Sequence, residues 1–147
     1  MEVKTKTMGT VSVDEKQILD FPNGLFGFED YHKFALLESE YQPFYWLQSL
    51  DESGLAFLIV DPFLIVKDYE LDIDDKTLME IGITSPADVI VFAIITVPAD
   101  NGPVTANLQG PLVINKKNNK VLQVILNDSK WTTKHNIIKA LKKRGEK

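Results

Sequence analysis

The densest chemistry in the chain lies at residues 68–75, Asp-Tyr-Glu-Leu-Asp-Ile-Asp-Asp. Read as a strand, this run puts Asp68, Glu70, Asp72 and Asp74 on one face and Tyr69, Leu71 and Ile73 on the other. Successive carboxylates then stand roughly 6.5–7 Å apart. Two roles are open for such a row. It repels a copy of itself and so resists edge-to-edge aggregation. It is also an electrostatic landing strip for a basic protein, which steers encounter and sets register. Affinity then needs apolar anchors nearby, and Tyr69, Phe63 and Phe57 are the candidates.

Other reactive constellations are missing. The two histidines, His32 and His135, lie in different segments, and neither has a partner at metal-ligand spacing. The absence of cysteine excludes disulfides, thiol catalysis and thiolate-bound metal. No phosphate-binding glycine loop, dinucleotide fingerprint or nucleophile elbow is present. The expectation is a protein without enzymatic activity and without a cofactor. The alternative is a small β-barrel enzyme or ligand binder using paired carboxylates in the barrel mouth.

The chain has 147 residues, 44% of them hydrophobic and 25% charged, which reads as one globular domain spanning 1–147. That length buries roughly two-thirds of the unfolded surface. The formal charge of −5 hides an asymmetry. Residues 1–115 carry 19 acids against 6 bases, and residues 116–147 carry 2 acids against 10 bases. The halves either pair within the fold or present two faces to two partners. The basic end is not interleaved with aromatics, and the acidic remainder repels a polyanion, so direct nucleic-acid binding is not expected. No apolar run is long enough to cross a membrane, and no secretory leader is visible, so a cytoplasmic protein is expected.

The elements that must position these groups read mostly with a period of two. Val3 to Thr7, Val11 to Val13, Ile18 to Phe21, Phe34 to Leu37, Phe44 to Leu50, Leu55 to Val60, Leu64 to Leu71, Val89 to Val97, Val104 to Leu108, Leu112 to Ile114 and Val121 to Leu126 are strand candidates. Residues 51–54 and 116–120 read as hairpin turns, the second rich in Asn, which tolerates the left-handed conformation. The fold class expected is mainly β, a compact antiparallel β-barrel-like domain. One short helix is expected after an Asp74 or Asp75 cap, ending at Gly82. A C-terminal helix is expected after Thr132 or Thr133, with Ile137, Ile138 and Leu141 on one side and Lys139, Lys142, Lys143 and Arg144 in its last turns.

Two stretches are less generic. In Phe21-Pro22-Asn23-Gly24-Leu25-Phe26-Gly27-Phe28-Glu29-Asp30, Pro22 ends a strand and Asn23-Gly24 turns the chain. Gly27 permits a second bend between aromatics. Either the aromatics plug the end of the barrel, or the loop faces a partner with one exposed aromatic and Glu29-Asp30 at its rim. In Thr105-Ala106-Asn107-Leu108-Gln109-Gly110-Pro111-Leu112-Val113-Ile114-Asn115, Gly110-Pro111 breaks what would be one strand. The amides of Asn107 and Gln109 can satisfy the loop backbone.

These two stretches, with Asp61-Pro62 and Pro86-Ala87-Asp88 between them, resemble the FliW family of flagellar assembly factors over essentially the whole chain. The resemblance implies a bacterial, cytoplasmic, non-enzymatic protein with two partners, flagellin and the translational regulator CsrA. It further implies that free FliW antagonises CsrA allosterically, that accumulating flagellin occupies FliW and releases CsrA, and that export of flagellin frees it again. Because an RNA-binding regulator presents basic surface, the row of Asp68, Glu70, Asp72 and Asp74 with Tyr69 is the expected CsrA contact, and Glu29 and Asp30 come second.

Overall fold

The computed structural model describes residues 1–97, 102–128 and 130–137. A small ladder pairs β1 (Glu2–Lys4) with β2 (Thr10–Ser12). The main ladder is built from β3 (Ile18–Asp20), β4 (Lys33–Glu38), β5 (Tyr45–Ser49), β6 (Ala56–Val60), β7 (Val89–Thr96), β9 (Leu112–Asn115) and β10 (Val121–Gln123). Its strand order is β10-β9-β7-β6-β5-β4-β3, and every pairing is antiparallel. Short β8 (Thr105–Ala106) and β11 (His135–Asn136) attach to the far end of β7.

β7 reads Val-Ile-Val-Phe-Ala-Ile-Ile-Thr, a β-branched sequence suited to a central strand. It pairs with β9 over Val89 to Phe92 and with β8 over Ile95 and Thr96. Ile95 faces Ala106 and Phe92 faces Leu112, so two residues of β7, Ala93 and Ile94, lie opposite the five from Asn107 to Pro111. The surplus is absorbed by the corner at Asn107 to Pro111, where Gly110-Pro111 interrupts the strand as the sequence indicates.

The central strands are covered on both faces. Ile59, Phe92, Leu112 and Ile114 belong to one core cluster with Phe21, Phe34 and Leu47. Their sequence neighbours Val60, Ala93 and Val113 belong to a second, with Tyr69, Ile81, Leu108 and Trp131. Alternation along each strand therefore feeds two apolar layers.

The barrel expectation needs correction, because the described strands do not close. β3 and β10 have three residues each, and the edges touch at one bridge between Asp20 and Lys120. There the Asp20 N–H donates to the Asn119 carbonyl at 2.9 Å, and Asn119 Nδ2 donates to the Ile18 carbonyl at 3.2 Å. Asn119 is in the left-handed region at φ 58°, so it is the turn, and not a ladder, that meets the opposite edge.

Leu64 to Leu71 is not a strand either. Asp61 caps a single 3-10 turn at Pro62–Leu64, its Oδ1 accepting from the Phe63 N–H at 2.9 Å, and irregular backbone follows. The short helix does form, as α1 (Asp75–Met79), with Asp74 at its N-cap and Gly82 beyond its end at φ 76°. Thr132 and Thr133 lead into β11 and cap no helix there. The expected helical residues Ile138, Lys139, Leu141, Lys142, Lys143 and Arg144 lie outside the described residues.

Candidate docking surface

The loop from Phe21 to His32 is clamped at its base. The Phe21 N–H donates to the His32 carbonyl at 2.8 Å, and His32 Nδ1 lies 2.8 Å from the Phe21 carbonyl. A carbonyl only accepts, so Nδ1 carries the proton there. Inside the clamp, Gly24 N–H closes a turn onto Phe21 and Phe28 N–H closes a second onto Leu25. Gly27, at φ 88°, sits where a type II turn requires a positive angle. Gly24, at φ 67°, is buried, and a Cβ there would fall 2.6 Å from the Glu29 Cα.

These two turns separate the aromatics. Phe21 is fully buried and meets Phe34 edge-on at 5.0 Å. Phe34 contacts Phe57, and Phe57 meets Phe28 edge-on at 5.2 Å. An aromatic file thus runs from the core to the surface. Phe26 stands outside it, 58% exposed. Two of the loop's aromatics, Phe21 and Phe28, thus pack on the rings below, and Phe26 is left exposed. Pro22, Glu29 and Asp30 are exposed around it, and Glu29 Oε2 accepts from the Gly27 N–H at 2.6 Å.

The second unusual stretch lies against the first. Asn107 Oδ1 accepts from the Gly110 N–H at 2.8 Å, which is the loop-satisfying role expected of that amide. Gln109 serves through its main chain, its N–H donating to Thr132 and its carbonyl accepting from Leu126. Pro111 is buried, so it shapes the corner and offers nothing to a partner. Gln123 joins the two stretches: its Oε1 accepts from the Phe26 N–H at 3.0 Å, and its Nε2 donates to the Gly110 carbonyl at 3.0 Å.

A groove of about 350 Å³ opens between them, lined by Phe26, Phe28, Phe57, Ile94, Gln123 and Ile125 among others. No charged side chain of the described residues lines it. A smaller groove of about 200 Å³ holds Asn23, Asp72, Asp74 and Glu80, and it shares Gln123 and Ile125 with the first. The Asp72–Asp74 end of the acidic run and the aromatic loop therefore flank one surface, with Ile125 lining both grooves at 56% exposure.

The acidic run keeps its alternation without being a strand. Asp68, Glu70, Asp72 and Asp74 are exposed, Leu71 and Ile73 are half-buried, and Tyr69 is buried. Tyr69 is thus corrected from an exposed anchor to a core residue, packed edge-on against Trp131 at 4.8 Å and Phe63 at 5.7 Å. Burial pushes its hydroxyl well above the usual tyrosine range. Asp74 is already engaged, its Oδ1 accepting from the Thr77 N–H at 2.7 Å. Hydrogen bonds from the Thr77 side chain and then its backbone, with nearby Lys76, hold its carboxyl below the usual range. A carboxylate held in its charged form is the reverse of a general acid. Beneath the run, Phe63, Leu71, Ile73, Asp75 and Leu78 line a further groove of about 460 Å³.

The residue types of Gln123 and Ile125 carry no functional signal in the sequence. Their shared parity after Leu122 was the available signal, because it places Ile125 on the polar side of an otherwise inward-facing run. Among the described residues, no group of three His, Asp or Glu side chains is placed to hold a metal ion. None of their helices is long and apolar enough to span a membrane.

Fold and site together define an antiparallel β protein whose unusual loops and acidic run converge on one exposed face. The FliW protein family model matches residues 2–137, and the chain belongs to the FliW family. It is 54% identical over 145 residues to the flagellar assembly factor FliW of Treponema denticola, covering 99% of each chain. It is 44% identical to that of Bacillus velezensis, over 92% of this chain and 95% of the relative. A crystal structure of the flagellar assembly factor FliW matches with a TM-score of 0.84 at 38% identity, over 93% of this chain and 96% of that one.

Proposed function

We propose that this chain is a cytoplasmic, non-enzymatic flagellar assembly factor that binds flagellin and CsrA. In this reading it relieves CsrA repression of flagellin translation, and flagellin and CsrA exchange on it. Family membership over 2–137 supports the assembly role. The observation that supports the partner assignment is the exposed row of Asp68, Glu70, Asp72 and Asp74, of which Asp72 and Asp74 line a groove that shares Gln123 and Ile125 with the apolar one. Such a surface complements a basic RNA-binding regulator. The acids steer the encounter and the apolar groups supply affinity.

Co-purification with CsrA and with flagellin, first separately and then in competition, tests the scheme. In the same assay the row is neutralised en bloc as Asp68→Asn, Glu70→Gln, Asp72→Asn and Asp74→Asn. The last change keeps a capping side chain for α1. Weaker CsrA binding with a flatter salt dependence is expected. Unchanged affinity and salt dependence would show that the row is not the contact.

A further inference from the structure

We propose that Phe26 and Ile125 are the affinity anchors of the acidic surface, and that the segment seated there is apolar with flanking lysines or arginines. This rests on the CsrA reading above and assigns the contact to particular side chains. Phe26 and Ile125 are large apolar groups at 58% and 56% exposure, and they line the same uncharged groove. Ile125 also lines the groove that holds Asp72, Asp74 and Glu80, so the apolar centre passes directly into a carboxylate rim. An uncharged centre with a charged rim is the arrangement that concentrates binding energy on a few anchors.

The anchors are held in advance. Gln123 fixes the backbone of Phe26 to the Gly110 corner, and Phe28 packs edge-on against Phe57. Presenting Phe26 therefore requires little ordering of the loop at the moment of binding. The partner's chemistry follows from complementarity: apolar side chains for the groove, and cations for a rim that carries no described lysine or arginine in its lining.

Anchors and rim make separable kinetic predictions. The test is binding of CsrA to the full chain, followed as association and dissociation rates across salt concentrations. Phe26→Ala and Ile125→Ala should each weaken binding at least about tenfold, through faster dissociation, with the salt dependence kept. The four-acid neutralisation should slow association and flatten the salt dependence. Tyr41→Ala, at a 59% exposed position outside both grooves, and Phe63→Ala, in the groove beneath the acidic run, should leave affinity unchanged. Either anchor variant suffices if the other fails to fold. Wild-type binding that survives both anchor changes overturns the assignment and leaves the CsrA reading standing. Loss on Phe63→Ala alone, or loss of flagellin binding with CsrA binding intact, also overturns it. Failure of the unaltered chain to bind CsrA overturns both.

Discussion

The Tyr69 hydroxyl donates to the main-chain carbonyl of Leu108 at 2.6 Å, joining the acidic segment to the corner that interrupts the strand beside β7. Both residues are buried. Tyr69→Phe keeps the ring contacts with Trp131 and Phe63 and leaves a buried carbonyl unpaired. The expected cost is about 1–2 kcal/mol, read by urea unfolding. The hydroxyl is held neutral by burial, so its folded value is raised. A raised folded value gives stability that is complete below the ordinary tyrosine pKa near ~10 and declines as pH rises above it. The Phe variant is therefore expected to show a shallower alkaline loss than the wild type.

Gly24 and Gly27 test two different demands of the aromatic loop. Both have positive φ, but only Gly24 has backbone in the way of a Cβ. Gly27→Ala is expected to cost about 1–2 kcal/mol from conformation alone. Gly24→Ala adds a clash with Glu29 and should cost more, on the order of 3 kcal/mol or above. Equal costs for the two in chemical denaturation would contradict the close packing of the Phe21–His32 loop.

Gln123 links loop to corner with one acceptor and one donor bond. Gln123→Ala should destabilise by about 1–2 kcal/mol and raise amide exchange at Phe26. Gln123→Glu keeps the acceptor for Phe26 and loses the donor to Gly110. Its exchange at Phe26 should stay near wild type. If the alanine variant leaves Phe26 exchange unaltered, the side chain does not hold the loop.

Asp74 caps α1 through its charged form. Its folded value is depressed, so the stability it contributes is present above the ordinary aspartate value near ~3.9 and is lost as pH falls through the depressed one. Asp74→Ala should lower Tm at neutral pH, and Asp74→Asn should recover part of that loss. The Asn variant should also lack the acid-side decline contributed by this group. Thermal scans at neutral and at low pH read both effects.

Local signals carried much of this architecture. Apolar alternation marked most of the strands, Asp74 and Gly82 marked the ends of α1, and the Asn-rich turn supplied its left-handed residue at Asn119. The period-two pattern of residues 68–74 was equally legible, and it still sorts acids outward and apolar groups inward. Period alone did not reveal that the segment lacks ladder partners, because exposure alternates in any extended backbone packed on a core. The inward turn of Tyr69 follows from a carbonyl 39 residues away, and nothing local encodes that contact. The same holds for Gln123, whose bond to Phe26 spans 97 residues. A count of short strands does not say whether the first and last can reach each other, and here β3 and β10 stay at opposite ends of the strand order.

β7 is shared by the two layers and by three neighbouring strands. Its amides should therefore exchange last, and the β9–β10 hairpin and the β5–β6 hairpin should lose protection together when it opens. A circular permutant or split design that cuts within Val89–Thr96 would remove the common spine of both, whereas a nick in the 51–54 or 116–120 turns would spare it.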